Sequence, residues 1–264
     1  MTSSPESKYV RINGLSAHYR EYGDPGAPDV VFIHGWSTSG MVWSDIAELL
    51  KDRFHIIVPD SRGNGQSERP AAGYQLTEYA EDVCQLIDAL DLAKPAVVGH
   101  SWGANIGTII AAKHADVVSK VVLEDPVYWK MTDAFATIVP QIIAGRKSAN
   151  QVHEEYRQRG RPPEEADFEI TSFHTFSPEI LMQIATVNRD WALECEAHIK
   201  TMNAPTLMLI ADYAAGGYVR PEELAYFQTI APPNVEWRVW DGIGHRMHFD
   251  DPERLAQTLT TFLA

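Results

Sequence analysis

The sequence predicts an α/β protein: a mostly parallel central sheet flanked by helices, with a helical cap inserted after the sixth strand. Three observations predict it. Six continuous apolar runs recur along the chain, at 29–35, 55–60, 95–101, 118–125, 204–212 and 235–242. Helical patterns separate most of them, and strands that are apolar on both faces must be covered on both. One connection, between 125 and 204, breaks the alternation with a long helical stretch.

Two short β segments, "YVRI" and "AHYREYG", come first. "DVVFIHG" is the first buried strand and ends at Gly35, and "HIIVPD" is the second. "PAVVGHS", "VSKVVLED", "APTLMLIAD" and "VEWRVWDG" complete the set. Helices are expected over 41–51, 76–91, 102–114, 221–230 and 252–263. Within 76–91, Leu76, Tyr79, Val83, Leu86, Ile87 and Leu90 recur at helical spacing. The long connection reads as helices 130–144, 148–159, 164–172 and 177–199, with "GRPPEE" as a break. Residues 1–126 and 201–264 are therefore expected to form one core domain, and 127–200 a helical cap.

Composition sets limits on function. The chain has 264 residues, 45% hydrophobic and 22% charged, with a net charge of −14. That suits one globular domain with a sizeable core and disfavours nucleic acid as a partner. No apolar run approaches the roughly 18 residues that span a bilayer, so no membrane partner is expected. "MTSSPESKYVRING" lacks the basic and apolar regions of a signal peptide, which points to a cytoplasmic protein. Cys84 and Cys195 stand far apart, without metal-ligand company, as in a reducing compartment. No metal and no organic cofactor is implied.

The chemistry gathers around "AVVGHSWGANIG". A strand, a G-x-S-x-G turn and a helix follow one another, the context in which such a serine is exposed as a nucleophile. Ser101 is that candidate. A serine serving only as an N-cap needs no flanking glycines. A hydroxyl needs a base. His245, in "DGIGHRMHFDDPE" after the last strand, is the best placed; His248 is the runner-up. His34, His55 and His100 lie at strand edges and read as structural. The base needs an acid. Glu124 and Asp125 end the strand "VVLED", on the sheet edge where ligand sites gather. Asp212 follows the next strand, and Ala214 stands where an aspartate is the usual choice. Glu124 is preferred, with Asp125 and Asp212 as alternatives, because alternation does not say which carboxylate faces the histidine. Backbone N–H groups of Trp36, in "FIHGWSTSG", and Trp102 are the expected oxyanion donors. Tyr128, Trp129, Phe173, His174 and Trp191 give the cap aromatic character; Tyr128, Trp129, Phe173 and Trp191 are candidates for contacting a substrate, against ordinary packing.

"HGW", "DSRGNGQS", "GHSWG" and "GIGH", in that order and spacing, resemble the α/β-hydrolase superfamily across nearly the whole chain. The resemblance implies the order nucleophile–acid–histidine, here Ser101, Glu124, His245. "HSWG" is similar to the "HDWG" of haloalkane dehalogenases and epoxide hydrolases, but serine excludes their alkyl-enzyme route. "EDP" resembles the acid segment of zearalenone lactonases, a glutamate followed by x-Pro. The resemblance thus implies a serine esterase or lactonase opening a lactone or bulky aryl ester, a small-molecule partner, through an acyl-enzyme. An amidase or carbamate hydrolase, a carbon–carbon bond hydrolase and a hydrolase-fold small-molecule receptor are the alternatives; the histidine present here favours an enzyme. Monomer and homodimer both remain open.

Overall fold

In a computed structural model, the structure describes residue 5, residues 7–128 and residues 139–264. All eight expected strands are present: β1 (Lys8–Ile12), β2 (Leu15–Tyr22), β3 (Asp29–Ile33), β4 (His55–Pro59), β5 (Ala96–His100), β6 (Val121–Glu124), β7 (Thr206–Ala211) and β8 (Val235–Trp240). They form one sheet in the order β1-β2-β4-β3-β5-β6-β7-β8. β2 runs antiparallel to β1 and β4; the other pairs are parallel. β4 and β5–β7 are buried at every position, which accounts for their unbroken apolar runs.

Helices cover both faces. α2 (Leu76–Ala89) and α3 (Trp102–Lys113) pack on one side, over Val31, Ile33, Val97, Val121 and Met208. α1 (Ser44–Leu50) and the C-terminal helix pack on the other, over Val30, Phe32, Ile56, Val98 and Leu209. Gly107 lets α3 approach the sheet, since a Cβ there would press on Leu123 and Val121.

Between β6 and β7 the described chain is helical: 139–145, then α4 (Ala149–Gln158), α5 (Pro163–Phe173), α6 (Pro178–Val187) and α7 (Trp191–Lys200). The expected helix 177–199 is two helices. Asn188 ends α6 because its side chain turns to the core, accepting from Leu76 N–H at 2.8 Å and donating to the Tyr74 carbonyl at 2.7 Å. The insertion is also tied down where Ser39 N–H and Oγ bond the carbonyls of Ser172 and Thr171. Its root is held by α3: Asn105 accepts from Val127 N–H at 2.9 Å and donates to the Val127 carbonyl at 3.0 Å. Most of the expected helix 130–144 lies outside the described residues. α8 (Pro221–Ile230), the short α9 (Met247–Asp250) and α10 (Pro252–Leu263) complete the order. Among the described residues no helix is long and apolar enough to cross a membrane.

Candidate active site

Turns after β3, β5, β6 and β8 leave the same carboxyl edge of the sheet, and they carry Trp36, Ser101, Asp125 and His245. Ser101 stands between β5 and α3 with φ 55° and ψ −112°, a conformation a non-glycine residue adopts only under constraint. The flanking glycines supply the constraint. A Cβ on Gly99 would run into the Gly103 carbonyl, and one on Gly103 into the carbonyls of Ile33 and His34. The nucleophile turn is therefore wedged against the end of β3. Gly35 faces it from that side, 3.4 Å from Ser101 Cβ for a Cβ built there.

His245 is held by Asp125. Its Nδ1–H donates to Asp125 Oδ2 at 2.6 Å, leaving Nε2 as the basic nitrogen. Asp125 is fully buried and also accepts from the backbone N–H groups of Ala211 (3.2 Å) and Tyr218 (3.0 Å). The Tyr218 ring packs edge-on against His245 at 4.2 Å.

The preferred acid, Glu124, does not meet His245. Its Oε1 accepts from His248, both from the backbone N–H (3.1 Å) and from Nδ1–H (2.8 Å). The reason is a kink. Asp125 has φ 42°, so the chain leaves the strand register there and both carboxylates reach the same loop, each at a different histidine. His248, the runner-up base, is fully buried and turned away by that bond. Asp212 instead ties its own turn to the loop after β8, accepting from Ala214 and Gly242 N–H groups.

The strand-edge histidines are structural, in different ways. His34 donates Nδ1–H to the Gly35 carbonyl at 2.8 Å and accepts from Ser61 N–H at Nε2, at 2.9 Å. Burial keeps it below the ordinary histidine pKa, which suits that neutral tautomer. His100 donates Nε2–H to the His245 carbonyl at 2.9 Å and is pushed well below the usual value, chiefly by burial and then by His245 and His248. His55 bridges Asp29 and Glu21 far from the site. His100, Glu124 and His248 bring ligand atoms within 4.8 Å of one another, a spacing compatible with a metal. Within this cluster His248 Nδ1–H bonds Glu124 Oε1, while His100 Nε2–H goes outside it to the His245 carbonyl.

Trp102 opens α3, where a backbone N–H has no intrahelical acceptor, and Trp36 follows Gly35 on the facing turn. Their indoles stack with centroids 6.1 Å apart. The aromatic candidates divide. Tyr128 is fully buried, with its hydroxyl 2.6 Å from Thr108 Oγ1 and its ring against Phe227; it packs the insertion onto α3 and α8. Trp191 is likewise buried, donates to the Val127 carbonyl at 3.1 Å and stacks on His198. Each spends its polar tip and ring contacts inside the core. His174 bonds within the insertion, accepting from Lys147 N–H. Phe173 is half-buried and packs on Phe249 and under Arg246, on the rim of a cleft of about 530 Å³ between α5 and the loop after β8. Trp129 lies outside the described residues. The sequence reading missed Tyr218 and the His100–His245 bond; no local motif marks either.

Comparison with known proteins bears on the fold. The alpha/beta hydrolase fold family matches residues 28–199. The chain is 34% identical over 139 residues to 2-(acetamidomethylene)succinate hydrolase of Mesorhizobium japonicum, covering 53% of this chain and 49% of the relative. It is 35% identical over 134 residues to a soluble epoxide hydrolase of Corynebacterium sp., covering 50% and 46%. The chain thus spans about half the length of the curated relatives it matches. The solved structure of E-2-(acetamidomethylene)succinate hydrolase superposes with a TM-score of 0.82 at 25% identity, over 98% of this chain and 99% of that one. The enol-lactonase of Burkholderia xenovorans shares the fold, with a TM-score of 0.74 at 20% identity over 97% and 99%. The chain belongs to the alpha/beta hydrolase fold family.

Proposed function

We propose that this chain is a serine hydrolase cleaving a carboxylic acyl bond, foremost an ester or lactone, with Ser101, His245 and Asp125 as its triad. The observation that carries the reading is the 2.6 Å bond from His245 Nδ1–H to a buried carboxylate, at the sheet edge that also holds a strained serine turn. His245 Nε2 takes the proton of Ser101 Oγ as that oxygen attacks the carbonyl carbon. Asp125 fixes the tautomer and stabilises the imidazolium. Backbone N–H groups of Trp36 and Trp102 receive the oxyanion. The proton passes to the leaving oxygen, giving an acyl-enzyme. Water then loses a proton to His245, its oxygen attacks the acyl carbon, and Ser101 regains the proton as the acid departs. The helices between β6 and β7 act as a lid selecting a small-molecule substrate.

A second reading is hydrolysis of an N-acyl compound through the same triad. It is favoured by the likeness, in sequence and in fold, to 2-(acetamidomethylene)succinate hydrolase.

Product formation followed by liquid chromatography separates the two, since hydrolysis of an N-acyl compound releases no net proton near neutral pH. The panel holds a macrocyclic aryl lactone, small lactones, aryl esters, an acetamido-alkene and a carbamate, each with Ser101→Ala as its blank. Fast turnover of lactones or esters that vanishes in the variant is expected. Turnover confined to the acetamido compound selects the second reading, and undiminished turnover by Ser101→Ala sinks both.

A further inference from the structure

We propose that Glu124 and His248 form a second carboxylate–histidine pair that positions the catalytic loop, setting where His245 stands relative to Ser101 without touching the reacting atoms. The proposal rests on the triad reading above.

Glu124 ends β6 and is fully buried. Its main-chain carbonyl accepts from Ser101 N–H at 2.9 Å. Its carboxylate holds His248 by two hydrogen bonds to one oxygen. One residue thus grips both the nucleophile's turn and the base's loop. The loop is held at three points: Asp125 on the His245 ring, His100 on the His245 carbonyl, and Glu124 on His248 three residues on. His248 cannot swing, since its ring lies among Trp43 (4.8 Å), His100 (4.6 Å) and Phe249 (4.4 Å).

Stability alone does not account for the pair. Glu124 Oε2 is buried without a hydrogen-bond partner. Buried ion pairs replaced by well-packed apolar groups often leave a fold as stable or more so. What the polar pair adds is direction. Two hydrogen bonds at fixed angles orient the loop in a way apolar packing does not. A displacement of about 1 Å in a reacting group is enough to cost on the order of 100-fold in rate.

The test uses the purified chain, p-nitrophenyl acetate turnover, and the rate at which a p-nitrophenyl phosphonate labels Ser101. Glu124→Ala and His248→Ala should each lower kcat and the labelling rate about tenfold, with KM within about twofold. The double variant should be no worse than either single, because both remove one contact. Glu124→Gln keeps the acceptor and should recover most of the rate. If the alanine variants do not fold, Glu124→Asp, which withdraws the acceptor by one methylene, carries the same expectation. Alanine variants that lose thermal stability yet keep wild-type kcat and labelling overturn the proposal, as does a double variant whose loss is the product of the singles. If the phosphonate does not label wild-type Ser101, the triad reading itself fails; normal wild-type labelling with unaffected Glu124 variants sinks only the positioning role.

Discussion

Glu124 and Asp125 are adjacent carboxylates with different partners, and a single dihedral separates them. In a regular strand successive side chains point to opposite faces, so one of the two would be lost to the loop. The left-handed backbone at Asp125 removes that restriction. This is why the sequence left open which carboxylate faces His245: alternation stops being informative at the last residue of β6. Ser101 and His245 were legible because their signals are local, a glycine-flanked turn and a glycine-rich loop after the last strand. The assignment has a direct consequence. Asp125→Asn should lower kcat by about 10³–10⁴-fold, as expected when the histidine is left in the wrong tautomer. Asp212→Asn, whose carboxylate bonds the Ala214 and Gly242 N–H groups and not His245, should lose far less. Steady-state kinetics on any substrate from the panel decides; a crippled Asp212 variant beside a healthy Asp125 variant reverses the assignment.

At the scale of elements, the strand–turn–helix unit β5–α3 was readable in full, since its glycines mark where backbones touch. The insertion was less so. Aromatic residue type does not say which way a ring faces, and Tyr128 and Trp191 turned inward to bond Thr108 and Val127. The break at Asn188 was missed because it answers a distant need, the first N–H and preceding carbonyl at the start of α2. Close packing of α3 on β3 is testable by itself. Gly103→Ala places a Cβ within 2.8 Å of the His34 carbonyl oxygen, so the helix or the strand end must shift. The overpacking should cost about 1–3 kcal/mol in urea unfolding. It should also slow Ser101 labelling, because the wedge that forms the nucleophile turn is loosened. Unchanged stability would show that α3 has slack the structure does not suggest.

For the molecule as a whole, a mostly parallel sheet covered on both faces followed from the run of apolar strands; its strand order did not. The pH response depends on groups whose surroundings only the fold reveals. His100 is buried and held well below the ordinary histidine pKa, chiefly by desolvation. Its folded value lies below its unfolded one, so the native state binds fewer protons. The stability this contributes is present above the unfolded pKa of about 6.5 and is lost as pH falls below it toward the folded value. His34 acts in the same direction. Unfolding free energy measured from pH 8 down to pH 5 should therefore fall on the acid side, and His100→Gln should flatten the fall. Identical slopes for the two proteins would remove His100 from the account.

The clamp between Asn105 and Val127 sits two residues past Asp125 and just before the chain leaves for its helical excursion. It works as an anchor bolt. Along the chain, bending or lengthening downstream meets α3 at Val127 before it reaches Asp125. The insertion meets the loop after β8 at a separate place, where Phe173 packs on Phe249 and under Arg246. Segments grafted downstream of Tyr128 should therefore leave Asp125 in place for as long as the Asn105–Val127 pair is kept.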